Sequence, residues 1–470
     1  MLNIKKNKKT VCETGILVLL GIIFSIIYIS LCHNRNIWTD EGYTVELLRE
    51  CSTFGEIARF TARDVHPPMY YWVAKVGLWI LGDTWFTIKL VSVIAMFGIY
   101  MISAFVIRRR FGFKVAFFFT MLMAAFPFSI EYAIQMRMYS WCMLFILSTF
   151  LAAISAYENG RVRDYVVLAI FGIASAYSQY FAFAAAIWIY GILLICLLVT
   201  KKGKVQIKRY TIMTVLSILS YVPWLSCMAK QVGGVSESYW IDPITKDTLR
   251  EYLDWPFMCD YPGIQQIFQI LCVIGLIAMV VRLVVKHEKE DVISVLGVLI
   301  PVLVVITGVV LSALIRPIFL IRYVCPAMPL FLLALAIIAS RTKNYTYALM
   351  ILLLVVTFRI DYLATYIIEY QSTDTEATLA VLDEYMDEDD ILVYNFQKYG
   401  FLYEDYFGKD IKYIEEFNIL ECDTDVYFLC TAQHPTYVPA DLQNFGWKME
   451  CLGDYGLEQN PFWIYKITRE

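Results

Sequence analysis

The sequence of 470 residues has little of what marks the common classes of soluble enzyme. It contains only 4 His, and its 12 Cys are scattered, mostly within apolar runs, without a Cys-X-X-Cys pair. These counts favour neither a metal cluster nor a disulfide scaffold. No long basic tract is paired with aromatic residues, so nucleic acid is not expected as a partner.

Apolar residues, by contrast, are in excess. They make up 59% of the chain, with a mean hydropathy of +0.59, against roughly 45–50% in soluble domains. Such a composition cannot cover a water-facing surface. The 33 Tyr and 11 Trp are typical of a chain that crosses membrane interfaces repeatedly. The sequence therefore predicts an integral membrane protein.

Eleven apolar segments are long enough, or nearly so, to cross about 30 Å of hydrocarbon. They are 15–32, 84–107, 113–130, 137–157, 164–179, 180–199, 210–228, 263–285, 292–315, 319–340 and 345–365. The first segment follows a lysine-rich start and has no small-residue cleavage site, so it is predicted to be an uncleaved anchor.

The positions of Lys and Arg in the short loops predict the orientation, because cytoplasmic loops hold the excess of these residues. With a cytoplasmic N-terminus, every basic loop cluster falls on the cytoplasmic side of a cell membrane. Residues 33–83, 229–262 and the chain from 366 onward are then extracytoplasmic. The stretch Met69–Gly82 is too short to span comfortably and is predicted to be a helix lying at the outer interface.

The composition changes near residue 365. Residues 366–470 hold 22 Asp and Glu against 6 Lys and Arg, and their apolar runs are short. They predict a small α/β domain with a helix at Thr375–Met386 and strands at Ile391–Asn395, Ile411–Ile414, Val426–Cys430 and Phe462–Ile467. Residues 1–365 form the predicted transmembrane domain, with 33–83 as its first outer loop.

The first outer loop carries two polar motifs. Adjacent carboxylates, Asp40 and Glu41, follow the first span, where they are costly unless hydrated or paired. Asp40 is either a general base or part of a helix N-terminus. In the second case Thr39 or Asp40 caps the helix, and Glu41 interacts favourably with the helix dipole. His66 precedes two prolines, which either simply hold it extended or present it to a phosphate or to Asp40.

Later span ends carry further polar side chains. Glu131, Gln135 and Tyr139 are spaced four apart and are predicted to share one helical face. Arg137 either extends to lipid headgroups or neutralises a phosphodiester. Arg316 and Arg322 flank the start of another span. Arginines there either extend to headgroups or bind phosphate through their planar fork.

The order of these motifs resembles glycosyltransferase family 39 and the protein O-mannosyltransferase-like group of the GT-C superfamily. The resemblance covers about residues 15–365 and includes the Asp-Glu pair, the His-Pro-Pro-X-Tyr-Tyr-Trp motif, Arg-Arg-Arg-Phe-Gly, Gln-X-Arg-Met-Tyr-Ser and a later Arg-Tyr. It implies inverting transfer of a sugar from a polyprenyl-phosphate donor on the extracytoplasmic side. The sugar would be a hexosyl or pentosyl unit, and the acceptor a hydroxyl or an amine.

The resemblance also implies roles for individual residues. Asp40 would be the catalytic base, with Glu41 and Tyr43 as companions, and His66 would lie near the donor phosphate. The carrier phosphate would be bound by Arg137 with Tyr139 and by Arg322 with Tyr323. Supporting positions would be Lys89, where relatives often have Arg, together with Glu131, Gln135 and Arg316.

The sequence therefore predicts an all-α polytopic membrane protein of the GT-C type, with about 11 transmembrane helices and a small C-terminal α/β extracytoplasmic domain. Asp40, His66, Arg137 and Arg322 are expected to meet in one hydrated pocket. The partners are a polyprenyl-phosphate sugar, the lipid bilayer and an acceptor that the sequence does not identify. No cofactor or metal site is predicted, although a divalent metal stays open.

Two alternative functions are left by the sequence. One is a multipass lipid or solute transporter or flippase, which should carry charges in mid-span. The other is a membrane anchor for the acidic tail.

Overall fold

The chain divides into two compact units. The computed structural model describes residues 2–32, 37, 39–237, 241–254, 262–355, 375–396, 399–408, 411–431, 446–458 and 460–469. The first unit comprises Met1–Cys32 and Cys51–Ala364, and the second comprises His33–Glu50 and Thr365–Glu470. Residues 33–50, predicted as part of the transmembrane domain, thus group with the C-terminal region.

The first unit is helical. The helices in chain order, of which α2 belongs to the second unit, are α1 (Leu2–Leu31), α2 (Thr39–Glu50), α3 (Phe54–Thr61), α4 (Met69–Leu81), α5 (Trp85–Ile102), α6 (Arg108–Phe111), α7 (Phe113–Ala125), α8 (Pro127–Ile134), α9 (Tyr139–Asn159), α10 (Val162–Ala176), α11 (Tyr180–Val199), α12 (Lys204–Glu237), α13 (Lys246–Asp254), α14 (Pro262–Lys286), α15 (Lys289–Leu314), α16 (Met328–Ser340) and α17 (Asn344–Val355). A π-helical turn at Ser103–Ile107 joins α5 to α6, and a 3₁₀ helix at Ile321–Ala327 leads into α16.

Among the described residues, eight helices are long and apolar enough to cross a membrane, or nine if one bent pair is a single span. The eight are Lys8–Leu31, Trp85–Phe111, Tyr139–Asn159, Tyr180–Val199, Lys204–Gly233, Gln265–Lys286, Lys289–Leu314 and Ile321–Ser340. Each corresponds to one of the eleven predicted segments. The prediction of a polytopic, mainly helical membrane protein is confirmed.

The other three predicted segments differ from single straight spans. Segment 113–130 is the bent pair of α7 and α8, with 70° between Phe113–Ala125 and Phe128–Ile134, and the proline at 127 accounts for the break. Segment 164–179 is α10, whose 15 residues extend only about 22 Å. Segment 345–365 begins as α17, and its later part lies outside the described residues. Eight or nine helices of the described part thus qualify as spans, against eleven segments predicted from the whole sequence.

Helix α9 forms the centre of the first unit. It packs against α5, α10, α11 and the 3₁₀ helix, and most of its residues are buried. It ends at Gly160, whose φ of 63° is left-handed and therefore suits glycine. The residues just before the start of α9, which include Arg137, therefore lead directly into a buried helix.

The helix predicted at the outer interface is observed as α4, of 13 residues. It packs against α3, which begins with a capping box between Thr53 and Glu56. Trp72 on α4 donates from Nε1 to the carbonyl oxygen of Phe54 at 3.0 Å. The short segment between α3 and α4 therefore connects two helices that contact each other.

The second unit contains a five-stranded sheet. Its strands are β1 (Ile391–Tyr394), β2 (Lys412–Tyr413), β3 (Val426–Thr431), β4 (Trp447–Leu457) and β5 (Asn460–Arg469), in the order β2-β1-β3-β5-β4. Strand β1 is parallel to β2 and β3, whereas β5 is antiparallel to β3 and β4. Helices α18 (Thr375–Tyr385) and α19 (Gly400–Phe407) complete the described part. The predicted small α/β domain is confirmed.

Strand β4 is the element of this sheet that the sequence did not predict. It mixes apolar residues with the polar Lys448, Glu450 and Asp454, and its alternation is interrupted near Gly453, where the register with β5 shifts. As an edge strand it has one paired side, so it needs less apolar alternation than a central strand. The fully buried β3, in contrast, has the apolar run that predicted it.

Candidate functional site

The segment that carries His66 joins α3 to α4 and is anchored at both ends. Gln231 on α12 donates from Nε2 to the carbonyl oxygen of Thr61 at 2.9 Å. The backbone N–H of Met69 donates to the carbonyl oxygen of Tyr177 at 2.9 Å. The two prolines after His66 fix φ and leave few backbone conformations. The backbone that carries the half-buried imidazole is therefore held at both ends.

Arg137 lies in a turn between two helices. Helix α8 ends at Ile134, Gln135 is extended with φ −77° and ψ 143°, and α9 begins at Tyr139. Ser92 Oγ on α5 donates to the carbonyl oxygen of Gln135 at 2.6 Å. The Arg137 side chain is only 3% exposed. A guanidinium at that depth is costly without polar partners, which marks the turn as a specialised site.

The helical face predicted for Glu131, Gln135 and Tyr139 is only half formed. Gln135 Nε2 donates to Glu131 Oε1 at 3.0 Å, as the spacing predicts. The helix then ends, so the second pair does not continue this face. The buried Tyr139 ring instead packs against that of Tyr132, with 4.5 Å between the centroids.

His66 and Arg137 are in direct contact. Arg137 Nη2 lies 2.8 Å from His66 Nε2. Removal from water is the main reason that the pKa of His66 is held well below its usual value, and the positive charges of Arg137 and Arg322 lower it further. At neutral pH the ring is therefore uncharged. Arginine has only N–H donors, so Nε2 accepts and the ring proton is on Nδ1.

Arg322 brings a second arginine into the same neighbourhood. It lies in the 3₁₀ helix Ile321–Ala327, half-buried, and is close enough to influence the charge state of His66. Its neighbour Tyr323 stacks on Phe181 of α11, with ring centroids 5.2 Å apart and planes at 14°. The described residues thus bring Arg137, Arg322, His66 and Tyr323 together from three separate parts of the sequence.

A cavity of about 350 Å³ opens beside this cluster. His66 and Tyr323 are part of its lining. The remaining wall is mainly apolar and comes from α11, α12 and α15, including Phe181, Ala184, Ile187 and Leu311. Ligand pockets of this size, mostly apolar with a few polar groups at one place, are typical of small-molecule sites. The arrangement suits a ligand with an anionic head and an apolar tail.

Two further supporting residues belong to the first unit. Lys89 is 2% exposed within α5, so its side chain is buried rather than extended to headgroups. Arg316 is half-buried in the segment between α15 and the 3₁₀ helix. Their roles remain predictions.

The predicted catalytic residues belong to the second unit and are described with it. Helix α2 begins at Thr39, which places Asp40 and Glu41 in its first turn, where the helix dipole favours carboxylates. Glu41 is 3% exposed, and Asp40 and Tyr43 are half-buried. Trp38, just before α2, lies outside the described residues. The meeting of Asp40 with the arginines stays a prediction.

Sequence reasoning missed the residues that anchor the His66 segment. Tyr180 donates its hydroxyl proton to Gln231 Oε1, and Trp224 Nε1 donates to the Tyr180 hydroxyl at 3.2 Å. Gln179 caps α11 by accepting from the N–H of Ala182 at 3.0 Å. The polar run from 177 to 180, between two apolar segments, is the signal that could have found them.

Comparison with known proteins gives a family match over about a third of the chain. Residues 65–226 match the family model described as dolichyl-phosphate-mannose-protein mannosyltransferase. That range contains His66, Lys89 and Arg137, whereas Asp40 and Arg322 lie outside it. No curated protein sequence matches the chain significantly.

Two solved structures match nearly the whole chain. The crystal structure of ArnT from Cupriavidus metallidurans in the apo state is 12% identical, covers 97% of this chain and 98% of its own, and gives a TM-score of 0.60. The crystal structure of ArnT from the same organism bound to undecaprenyl phosphate is 11% identical, covers 96% and 97%, and gives 0.58. At these identities the likeness is one of fold. The predicted GT-C type fold is confirmed: the chain is a multi-pass membrane protein that shares the fold of these ArnT structures, and its residues 65–226 match the mannosyltransferase family model.

Proposed function

We propose that the protein is a membrane glycosyltransferase that takes its sugar from a polyprenyl-phosphate donor. The observation that carries the proposal is the contact between a buried arginine and a neutral histidine at the edge of an apolar cavity. The family match and the ArnT-like fold support the same class of reaction. One of the two ArnT structures holds undecaprenyl phosphate, and we extend that ligand class to this chain.

The proposed donor is divided between two surroundings. Its phosphate lies against Arg137 and Arg322, whose guanidinium groups present several donors in a plane and match phosphate geometry. The first isoprene units enter the cavity beside His66, and the rest of the tail continues into lipid. Burial of apolar surface stabilises the tail by about 25 cal/mol per Å².

The proposed reaction is a single displacement at the anomeric carbon. The acceptor oxygen or nitrogen forms the new bond while the bond to the phosphate oxygen breaks, which inverts the configuration. Negative charge grows on the departing phosphate, where cationic donors stabilise the transition state. Asp40 accepts the acceptor's proton as general base, with Glu41 beside it in the sequence.

The proposal assigns charge neutralisation to arginine and needs no metal or other cofactor. It places the reaction on the extracytoplasmic face of the cell membrane, with the N-terminus cytoplasmic, because the short-loop basic residues favour that orientation. Both hexosyl and pentosyl units fit the proposal, and the acceptor is a hydroxyl or an amine on lipid, glycan or protein.

The test is transfer by the purified full-length protein in nanodiscs. Undecaprenyl phosphate carrying ¹⁴C-labelled mannose, galactose, arabinose or xylose is supplied with host membranes as the acceptor source, with and without EDTA. We expect EDTA-resistant transfer of one sugar, and a loss of about 10²–10⁴-fold in Asp40→Asn, measured as labelled product.

A matched control is Asp164→Asn, at the start of α10, which should keep its activity. Failure to transfer any of the sugars, or full activity in Asp40→Asn, would contradict the enzyme or the assigned base. Movement of the labelled lipid between leaflets without transfer would favour a flippase instead.

A further inference from the structure

The imidazole of His66 has an unusual neighbour. The contact of 2.8 Å between Arg137 Nη2 and His66 Nε2 joins two groups that repel each other when both are charged. An imidazolium carries protons on both ring nitrogens and cannot accept a hydrogen bond. The contact therefore requires the neutral ring with an unprotonated Nε2.

Side chains from several structural elements surround His66, and together they favour the neutral form of its ring. Arg137 faces it from the turn before α9, and Arg322 faces it from the 3₁₀ helix; both lower its pKa, after the larger effect of burial. Tyr180 and Tyr323 share the lining of the cavity with it. Asp64 lies two residues away on its own segment and is a source of negative charge. The net effect is still a lowered pKa.

The backbone on either side of His66 is anchored by other contacts. Hydrogen bonds from Gln231 to Thr61 and from Met69 to Tyr177 hold the two ends of its segment. Neither bond involves the imidazole itself. The backbone that carries the imidazole is therefore anchored, and the imidazole has fewer rotatable bonds than the longer arginine side chain that reaches its Nε2.

We propose that His66 is a positioning residue, a neutral hydrogen-bond acceptor that orients the Arg137 guanidinium toward the donor phosphate, and not a cationic ligand of that phosphate. This rests on the proposed function and changes the role that the family resemblance implies for His66. The remaining guanidinium N–H groups then point in a defined direction while the positive charge is retained.

Protonation of His66 breaks this arrangement. Below the lowered pKa the ring gains a proton on Nε2, loses its acceptor and repels Arg137. The direction of the pH dependence follows from this. The value of kcat/KM is at its maximum above the pKa of His66 in the folded protein, and it falls as the pH drops through that pKa. A cationic phosphate ligand would give the opposite slope, with kcat/KM rising on acidification.

Three substitutions separate the two roles in the transfer assay. His66→Gln keeps an amide oxygen as acceptor, so we expect kcat/KM within about three-fold of wild type and no acid limb from this residue. His66→Ala removes the acceptor and should lose about a hundred-fold through misplacement of the guanidinium. His66→Lys should lose at least as much. Full activity in His66→Lys, or an equal loss in His66→Gln and His66→Ala, would overturn the proposal.

A second measurement does not depend on the enzymatic activity. The full-length protein labelled with ¹⁵N-histidine is studied by magnetic resonance, and the His66 signals are assigned by their absence in His66→Gln. At pH 7 we expect an unprotonated Nε2 and a protonated Nδ1, a pattern that Arg137→Gln should shift toward a mixture of tautomers. A protonated Nε2 at pH 7 in the wild type would overturn the positioning role even if no sugar transfer is found. The expected pattern without any transfer would instead count against the proposed function alone.

Discussion

Two groups of arginines in the first unit differ in what surrounds them. Arg341, at the end of α16, contacts Glu288 at 2.6 Å, Asp291 at 3.1 Å and Glu290 at 3.7 Å. Arg282 on α14 contacts two of the same carboxylates, Glu288 at 3.0 Å and Asp291 at 3.3 Å. These ion pairs tie α14, α15 and α16 together.

Arg137, in the turn between Ile134 and Tyr139 (the Arg137 turn), has different surroundings. Arg137 contacts the neutral imidazole of His66, which in our proposal orients the guanidinium. An apolar cavity lies beside this contact, whereas Arg341 and Arg282 form ion pairs with a shared set of carboxylates. The ion pairs of Arg341 fit a role in stabilising the fold, whereas the place of Arg137 beside the cavity fits its proposed role at the donor phosphate. Composition and spacing alone do not distinguish these two uses of arginine.

The largest expected effect is that of Arg137→Ala on activity. Loss of a donor that stabilises the departing phosphate should lower kcat/KM by about 10²–10³-fold, measured as transfer from the labelled polyprenyl-phosphate sugar. Arg341→Ala is the matched control and should stay close to wild type at a temperature where both variants are folded. Equal losses in the two variants would remove the distinction between the groups.

The reverse comparison concerns stability. In Arg341→Ala the Asp291 side chain, which is 3% exposed, loses one partner and keeps Arg282. We expect a decrease of about 1–3 kcal/mol in the free energy of unfolding, since a buried charge becomes less well paired. Thermal unfolding in detergent, followed by circular dichroism, measures this. A greater loss of stability in Arg137→Gln than in Arg341→Ala would contradict the structural role assigned to the carboxylate network.

A smaller effect is expected from filling the cavity. Ala184→Trp adds an indole at the cavity wall on α11 and should raise the KM for a long-chain donor about ten-fold, in the range of the cost of overpacking. Ile195→Trp is the control, because this side chain lies on the same helix and is 61% exposed. Steady-state kinetics with long-chain and short-chain polyprenyl donors measure both variants. An unchanged KM in Ala184→Trp would exclude the cavity as the site of the tail.

Much of the fold could be predicted because long apolar runs occur mainly in membrane-spanning helices and shorter ones in buried strands. Segment 137–157 corresponds to α9 within two residues at each end, and Val426–Cys430 is the buried strand β3. The bend between α7 and α8 was missed because the apolar run continues across it, although the proline at 127 was a signal. Strand β4 was missed because its alternation of apolar and polar residues is interrupted near Gly453, which an edge position tolerates.

The candidate site was predictable in its residue types but not in its contacts. Arg137 and His66 were singled out from their motifs, yet their separation of 71 positions gave no indication that they bond to each other. Tyr180 and Gln231 drew no attention because their hydrogen bonds form only when α11 and α12 pack side by side. Periodicity describes one element at a time, whereas these contacts depend on how several elements meet.

The central claim is that the Arg137 turn and the neighbouring cavity together bind a polyprenyl phosphate. Its most direct test is equilibrium binding of ¹⁴C-labelled undecaprenyl phosphate to the full-length protein in nanodiscs. We predict that Arg137→Gln and Ala184→Trp each weaken binding at least about ten-fold, a change of roughly 1.4 kcal/mol, while Arg341→Gln and Ile195→Trp bind as the wild type does. Wild-type affinity in Arg137→Gln and Ala184→Trp, or equal weakening in all four variants, would contradict the account.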